Sequence, residues 1–188
     1  MTTQTVKHLF TVDDYERMAR AGIFHPEDRV ELIEGEIVEI SPIGRIHAAC
    51  VRRLNNLFAR RLGEAVLVDV QDPIVIRPRS EPQPDVVLLK PKADCYASGH
   101  PEPDDVLLLV EVADTTLEND RNVKIPVYAR AGIRESWIAD VTGLRLEVFR
   151  SPGPEGYADH RTLKPGDRIA PLAFPDCSFD VGEILGTP

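Results

Sequence analysis

The segment VLLLVEVA at positions 106–113 constrains the fold of this chain more than any other. Its density of aliphatic residues predicts a strand that is buried on both faces, as in the middle of a sheet covered by helices. Because side chains alternate along a strand, Glu111 shares one face with Leu107, Leu109 and Ala113. A buried carboxylate without a partner is costly, so we expect Glu111 to lie at the end of the sheet or to bind something.

The residues before this strand predict two helices and a hairpin. TVDDYERMARAG at 11–22 is typical of a short helix with Thr11 or Asp13 as its N-cap. RVELIEGEIVEIS at 29–41 has alternating apolar residues on both sides of Glu34-Gly35, which predicts a β-hairpin. HAACVRRLNNLFARRL at 47–62 has apolar residues at helical spacing, so it predicts an amphipathic helix that packs on the sheet through Val51, Leu54 and Phe58.

The remaining segments predict a sheet around the buried strand. VLVDV, PIVIRP and PDVVLLK predict three strands before it, and ESWIAD and LRLEVFR predict two after it. Between these groups we expect a helix from about Asn119 to Ala131, with Gly132 as the C-cap. The Pro- and Gly-rich tail predicts a loop at 151–160 and weak strands near 161 and 169. This order predicts an α/β fold with a mixed β-sheet flanked by helices.

The length of 188 residues fits one domain over 1–188. Within it we expect a core at about 10–150 and a C-terminal strand extension at 151–188.

The charge balance and the N-terminus narrow the functional classes. With 22 Lys and Arg against 31 Asp and Glu, the formal net charge is −9, which argues against a general nucleic-acid coat protein but allows a local basic groove. No stretch approaches the ~18 apolar residues of a membrane span, and the N-terminus lacks an apolar core of signal-peptide length. The three cysteines have no metal-binding spacing and suit reduced thiols. We therefore expect a cytoplasmic protein with no membrane partner.

The amphipathic helix carries a candidate basic surface, formed by Arg52, Arg53, Arg60 and Arg61. Such a stripe is often only a solvated face, and it is also what a phosphate track requires. Both interpretations stay open at this point.

Carboxylates on two predicted strands indicate a candidate metal site. Asp85 begins the aliphatic run of PDVVLLK, and Gln83 lies two residues before it on the same face. If this strand pairs with 106–113, Asp85 and Glu111 converge from adjacent strands. Oxygen ligands of this kind suit Mg²⁺ or Mn²⁺.

The helix after the buried strand adds a cation to this pair. Asp120, Lys124 and Tyr128 are spaced by four and lie along one stripe of the predicted helix. Two carboxylates with a lysine nearby suit phosphodiester hydrolysis, in which the metal lowers the pKa of a bound water and the ammonium orients that water or stabilises the developing charge.

The order of these motifs resembles a known family. PDVVLL, then VEVA, then a D-x-x-x-K-x-x-x-Y segment ending in AGIRESWIAD resembles the PD-(D/E)XK nuclease superfamily, and more closely the Uma-type family of restriction-endonuclease-like proteins from bacteria. The resemblance includes VELIEGEIVEISP and His47 upstream and covers about 10–150. It implies a restriction-endonuclease-like core with an N-terminal helix and β-hairpin, a Mg²⁺-dependent endonuclease acting on nucleic acid, above all DNA, and a homodimer, because superfamily nucleases that cut both strands act as symmetric pairs.

Residue by residue, the resemblance places the metal-binding aspartate at Asp85 and the second acid at Glu111. The superfamily lysine belongs two residues after that acid, where this chain has Ala113. In the Uma-type pattern the lysine comes instead from the following helix, which implies Lys124. Pro126 lies inside that helix, so we expect either a kink there or a first helical turn that contains Lys124.

Two further residues are candidates for auxiliary metal or water binding. They are Glu31, with Glu36 as its rival, and His47. A hairpin glutamate and a histidine at a helix N-terminus are also ordinary structural features, so the sequence leaves both interpretations open.

Three functions therefore stay open. The first is a metal-dependent nuclease that uses Asp85, Glu111 and Lys124. The second is a non-catalytic nuclease-like module that binds protein or nucleic acid, which the acidic net charge and Ala113 favour. The third is a metal-dependent hydrolase of another phosphorylated substrate, because a carboxylate pair alone does not identify what is cut.

Overall fold

The computed structural model describes residues 6–25 and 27–187 and contains a six-stranded mixed sheet covered by helices. The helices are α1 (Val12–Arg20), α2 (Arg45–Leu62), α3 (Leu117–Asn119), α4 (Ile125–Arg130) and α5 (Val181–Leu185), with a π-helical turn (Asp120–Lys124) joining α3 to α4. The strands are β1 (Val30–Ile33), β2 (Glu36–Glu39), β3 (Leu67–Asp69), β4 (Val86–Leu89), β5 (Val106–Ala113), β6 (Glu135–Asp140), β7 (Arg145–Gly153), β8 (Gly156–Leu163), β9 (Arg168–Ile169) and β10 (Phe179–Asp180). The predicted α/β class with a mixed sheet flanked by helices is confirmed.

The main sheet has the order β3-β4-β5-β6-β7-β8, so β5 lies in its middle, as the aliphatic run predicted. β5 pairs antiparallel with β4 and parallel with β6. The parallel pair requires a crossover, which the helical segment 117–130 supplies. This crossover carries the helix back across the sheet from the end of β5.

Two apolar layers cover the faces of the sheet. On one face α2 packs through Val51, Leu54 and Phe58, as predicted, together with α5. On the other face Ile125 and Tyr128 of α4 pack against the remaining side chains of the strands. Alternate residues of β5 therefore enter different layers, which explains why the whole strand is aliphatic.

The hairpin formed by β1 and β2 packs with α1 beside the main sheet. Glu34 and Gly35 form its turn with φ values of 48° and 86°, in the left-handed region that suits a two-residue hairpin. A Cβ at Gly35 would lie 2.7 Å from the Cβ of Leu9, so the site requires glycine for space as well as for conformation. Thr11 caps α1 through a capping box with Asp14, which settles the choice of N-cap.

The predicted strand at 73–78 is wrong. In the described residues this segment contributes only an isolated bridge, in which Ile76 and Ser80 exchange backbone hydrogen bonds of 2.8 and 3.0 Å. Because Pro73 and Pro78 have no backbone N–H, they cannot donate to a ladder. The chain instead folds back on itself, while Ile74 remains buried.

The predicted loop at 151–160 is also wrong, because this region is a β-hairpin. β7 continues to Gly153 and pairs with β8, with Pro152 opposite Tyr157 and Gly153 opposite Gly156. The hydroxyl of Tyr157 donates to the carbonyl of Ile133 at 2.7 Å, so the hairpin is anchored by contacts distant in sequence that its turn-rich composition did not reveal. No helix within 6–25 and 27–187 is long and apolar enough to cross a membrane.

The expected irregularity near Pro126 takes the form of the π-helical turn. The backbone N–H of Ile125 donates to the carbonyl of Asp120, one residue further back than in an α-helix. Backbone angles at Lys124 and Ile125 remain helical, so the segment 117–130 continues through the proline. The wider turn sets the direction in which Lys124 leaves the helix.

Candidate functional site

The candidate site lies where β4 begins and β5 ends. Val86 pairs with Val110, so continuing this antiparallel register by one residue places Asp85 opposite Glu111. The backbone N–H of Val112 donates to Oδ2 of Asp85 at 2.9 Å, which fixes the aspartate against the last residues of β5. The predicted convergence of these two carboxylates is thus present in the structure.

Glu111 is nearly inaccessible, with 2% of its surface exposed. Its Oε1 accepts a hydrogen bond of 2.6 Å from the hydroxyl of Tyr128, and Nζ of Lys124 lies 3.4 Å from the same oxygen. Among the described residues, the hydrogen bond of this carboxylate ends on Oε1 and none ends on Oε2. One oxygen of this carboxylate is therefore held by protein groups, and the other remains available to a ligand.

Lys124 connects Glu111 to the hairpin. Its Nζ lies 3.1 Å from Oε2 of Glu31, which also accepts a hydrogen bond of 3.0 Å from the backbone N–H of Gln83. The side-chain amide of Gln83 donates to the carbonyl of Val30 at 3.3 Å. Glu31 thus orients the lysine, whereas Gln83 supports the hairpin through both its backbone and its side chain.

Two side chains hold Asp85 from the side opposite β5. Nε2 of His47, in the first turn of α2, lies 3.0 Å from Oδ2, and the amide of Gln71 donates to Oδ1 at 3.1 Å. Gln71 has a φ of 59°, which is uncommon for a residue other than glycine. Nδ1 of His47 is buried and has no hydrogen-bond partner among the described residues.

The site contains more negative than positive charge. Glu31, Glu111 and Asp120 surround Lys124, and Asp85 lies near Glu111. Burial raises the pKa of Glu111, and the charges of Asp120 and Asp85 add to this effect against the opposing charge of Lys124. Burial likewise raises the pKa of Asp120 to about 6, although a hydrogen bond from Thr116 opposes it.

The cations of the site respond in the opposite sense. Burial lowers the pKa of Lys124, but Glu111 and Glu31 outweigh it, so the net shift is upward and the ammonium stays protonated. For His47 burial again acts downward, and the hydrogen bond and charge of Asp85 overcome it to raise the pKa. A divalent cation would balance the remaining excess of carboxylate charge.

A cavity of about 60 Å³ gives access to these groups. Asp85, Glu111, Asp120 and Lys124 line it together with residues of the segment that joins β2 to α2, among them Pro42 and Ile43. The volume accommodates water molecules or an ion, so a larger substrate would present one group to the site from outside.

The donors in the cavity fit a hard divalent cation. Asp85 and Glu111 supply carboxylate oxygens, which Mg²⁺ and Mn²⁺ prefer, and no cysteine lines the cavity. Within 6–25 and 27–187 no group of three or more His, Cys, Asp or Glu side chains is arranged to hold a metal by itself. Mg²⁺ is commonly held by one or two carboxylates, with waters and substrate phosphate completing its ligands, so a pair of acids suffices.

Most of the residues predicted from sequence meet at this site. Asp85, Glu111, Lys124, Glu31 and His47 are joined by direct contacts, and Gln83 lines the same cavity. The rival Glu36 lies on the surface, where it forms an ion pair of 2.8 Å with Lys7.

Three contributors to the site were not predicted from sequence. Gln71 follows a short strand and carries no motif, so only its unusual backbone angle in the structure draws attention to it. Tyr128 lies on the predicted stripe of Lys124 without an assigned task, and it is fully buried and donates to Glu111. Asp120 was available from sequence, because it shares the predicted helical stripe with Lys124.

The four predicted arginines of α2 lie on a different surface and divide into two pairs. Arg61 contacts both carboxylate oxygens of Glu183 at 3.0 Å, and Arg53 donates to the carbonyl of Ile184 at 3.4 Å. Arg52 and Arg60 are exposed and form no ion pair or side-chain hydrogen bond with the described residues. The stripe is therefore partly structural and partly free.

Comparisons with known proteins agree with this fold. The sequence model of the Uma2 family, described as "Putative restriction endonuclease", matches residues 12–182. A crystal structure of a "putative nuclease belonging to DUF820" from Anabaena variabilis is similar with a TM-score of 0.71 and 13% identity, over 94% of this chain and 98% of that chain. At this identity the likeness shows a shared fold. No curated protein matches the chain.

Proposed function

The chain belongs to the Uma2 family, and we propose that it is a metal-dependent endonuclease that hydrolyses phosphodiester bonds of DNA, with Mg²⁺ or Mn²⁺ as its cofactor. The observation that carries this proposal is the position of Lys124, whose Nζ lies 3.4 Å from Glu111 beside the carboxylate of Asp85. Two acids and a lysine gathered at the end of a central strand suit phosphodiester hydrolysis.

Each of these side chains has a distinct proposed task. Asp85 and Glu111 would hold the cation, which when bound lowers the pKa of a coordinated water and offsets the charge of the phosphate. Lys124 holds its proton at Nζ and donates hydrogen bonds to the attacking water or to a phosphate oxygen, where negative charge develops. Glu31 orients the lysine, and His47 and Gln71 orient Asp85.

The alanine that this chain has at position 113, where the superfamily has lysine, is compatible with this proposal. Ala113 is completely buried in the same apolar cluster as Ile125 and Tyr128 of α4. The helix therefore packs directly over the face on which a lysine two residues after Glu111 would lie. We infer that the helix leaves no space for a lysine at residue 113 and that Lys124 supplies the ammonium from the helix instead.

A cleavage assay tests the function. Supercoiled plasmid, linear duplex DNA, single-stranded DNA and RNA are incubated with the protein in Mg²⁺, Mn²⁺ or EDTA. We expect cleavage of DNA with metal and none in EDTA, and Glu111→Gln should lower the rate by about 100-fold or more. Glu64→Gln, at an exposed glutamate without partners in the described chain, is the matched control and should retain the rate.

The assay also separates the competing functions. Cleavage in EDTA, or full activity of Glu111→Gln, would contradict the proposed chemistry. Binding of nucleic acid without cleavage under any metal condition would instead favour a non-catalytic module. We further propose that the active species is a homodimer, since cleavage of both strands of a duplex needs two such sites.

A further inference from the structure

The sequence of α2 departs from the charge of the rest of the protein. Its 18 residues include five arginines and no acidic residue, whereas the whole chain carries a formal net charge of −9. Acids three or four positions away can pair with exposed arginines on a helix, and α2 has none. Any partner of its positive charge therefore comes from elsewhere.

Two of the five arginines have such a partner within the protein. Arg61 binds Glu183 of α5 and lies over the ring of Phe179 at 5.1 Å. Arg53 donates to the carbonyl of Ile184 near the end of α5. These two side chains hold the C-terminal segment against α2, and this accounts for their presence.

The other three arginines remain exposed and form a single stripe. Arg45, Arg52 and Arg60 are separated by seven and eight residues, which brings them within about 80° of one another around the helix at 3.6 residues per turn. Neither an ion pair nor a side-chain hydrogen bond joins any of them to the part of the chain that the structure describes. Arg52 and Arg60 line an open groove of about 770 Å³ together with Asn56, which can donate hydrogen bonds.

The stripe begins at the end of α2 that also carries His47 of the candidate site, on a different side of the helix from that histidine. Arg45 is the first residue of α2, and His47 in the same turn contacts Asp85. With a rise of 1.5 Å per residue, Arg52 lies about 10 Å and Arg60 about 22 Å along the helix from Arg45. The stripe thus leads away from the metal-binding carboxylates over roughly the rise of six base pairs at 3.4 Å each.

The start of α2 is also more positive than helix N-termini usually are. Helix N-termini favour acidic residues and a side-chain N-cap, because both interact with free backbone N–H groups. Here the N-cap is Gly44, without a side-chain hydrogen bond, and the first helical residue is Arg45. Arginine therefore adds to the positive end of the helix dipole, beside which the carboxylate of Asp114 lies next to Gly44.

We propose that Arg45, Arg52 and Arg60 bind phosphates about three nucleotides apart in a nucleic-acid strand that passes the N-terminal end of α2 near the active site and follows the outer face of the helix. Guanidinium groups bind phosphate oxygens with paired hydrogen bonds and carry no information about base sequence, so this surface positions the substrate without selecting its sequence. The identity of the polyanion rests on the proposed nuclease function, whereas the surface itself rests on the charge and geometry of α2.

Binding is measured in EDTA, so that cleavage does not interfere. Fluorescently labelled duplex DNA is titrated with the native protein, with Arg52→Gln/Arg60→Gln, and with Arg134→Gln/Lys164→Gln. The last variant removes the same charge from two exposed residues that have no side-chain partners in the described chain and lie outside the groove. Thermal unfolding of each protein reports whether the fold is intact.

The expected result is a specific loss in the first double variant. Without two phosphate contacts, the slope of log K against log salt concentration should fall by about 1.8, and affinity at 0.1 M salt should drop by at least about tenfold. The loss should be similar for DNA of different sequences. Unfolding should be unchanged, whereas Arg61→Gln, which breaks the contact with α5, should lower the melting temperature.

Two outcomes would overturn the proposal. One is unchanged affinity and salt slope in Arg52→Gln/Arg60→Gln, and the other is an equal loss in the control variant, which would reflect net charge alone. These outcomes are independent of the cleavage assay. If the protein cuts DNA but binds it equally well without Arg52 and Arg60, the proposed function stands and this inference is wrong. If the protein binds DNA through the stripe but does not cut it, this inference stands and the proposed function is wrong.

Discussion

Nζ of Lys124 lies 3.4 Å from Oε1 of Glu111, although the two residues are thirteen positions apart and belong to different elements. The π-helical turn and the packing of α4 on the sheet bring the lysine back over the end of β5. A lysine on β5 itself, two residues after Glu111, would lie on the same face of the strand because side chains alternate along it. The contact therefore depends on the tertiary placement of a helix.

The first prediction concerns the origin of this ammonium. Lys124→Met removes the charge and keeps a long apolar side chain, so it should reduce cleavage by about 100-fold or more while retaining Mn²⁺ binding through Asp85 and Glu111. Because Ala113 is completely buried under α4, a lysine there has no space, so Lys124→Met/Ala113→Lys should stay as slow as Lys124→Met. Steady-state cleavage and calorimetric titration with Mn²⁺ measure the two effects.

The same pair of variants distinguishes catalysis from structure. Full cleavage by Lys124→Met would show that this lysine is not catalytic. Loss of Mn²⁺ binding in it would assign Lys124 a structural task, namely holding Glu31 and Glu111 in place by offsetting their mutual repulsion. Removing one member of a buried ion pair costs about 3–5 kcal/mol, so Glu31→Gln/Lys124→Met is included to remove the charge left behind.

The second prediction concerns Gln71, which holds Asp85 from an unusual backbone conformation. Gln71→Gly should raise the free energy of unfolding by up to about 1 kcal/mol, because glycine adopts a positive φ without strain. It should also weaken Mn²⁺ binding, because Oδ1 of Asp85 loses its amide donor. Leu144→Gly is the control, since Leu144 also has a positive φ, 51°, but lies in the turn between β6 and β7. Urea unfolding and Mn²⁺ titration should show a stability gain in both variants and a binding loss in Gln71→Gly alone.

The third prediction uses the pH dependence of stability. Burial raises the pKa of Glu81 from 4.5 to about 7, and its Oε2 has no donor in the described residues. This carboxyl ionises less readily in the folded state than in the unfolded state. The free energy of unfolding should therefore fall as pH rises from 4.5 to 7 and stay lower above pH 7. The full effect is up to about 3 kcal/mol.

Glu81→Gln checks this contribution because glutamine does not ionise. The variant should gain stability relative to the native protein between pH 5 and pH 8, as measured by urea unfolding at both pH values. Glu64→Gln, at an exposed position, should show the native pH dependence. An unchanged difference between native protein and Glu81→Gln across this range would refute the assignment.

The fourth prediction is the proposed homodimer. Light scattering at micromolar concentration should give about twice the chain mass of 20.9 kDa. β8 is an edge of the main sheet and is eight residues long, so its unpaired side is one candidate interface, with the β1–β2 hairpin as the other. Hydrogen exchange should then slow at one of these edges as protein concentration rises. A mass of one chain at all concentrations would contradict the prediction.

Local sequence determined the elements whose signal is contained in their own residues. The aliphatic run 106–113 predicted β5 with its bounds, and the apolar period of α2 predicted the side chains that pack on the sheet. The pairing of Asp85 with Glu111 followed from one strand being placed beside another. These features were predictable because burial and alternation impose a periodic pattern on the chain.

Tertiary structure decided the features that depend on contacts between distant residues. The segment 73–78 has the composition of a strand but pairs with its own continuation, and the segment 151–160 has the composition of a loop but forms a hairpin anchored at Ile133. The five arginines of α2 cannot be told apart in the sequence. Only the position of α5 shows that Arg53 and Arg61 are bound by it while the others stay exposed. Likewise, Gln71 contacts Asp85 and Lys124 contacts Glu111 only after the helices and strands have packed. Each contact joins residues that are distant in sequence, so the local sequence does not specify it.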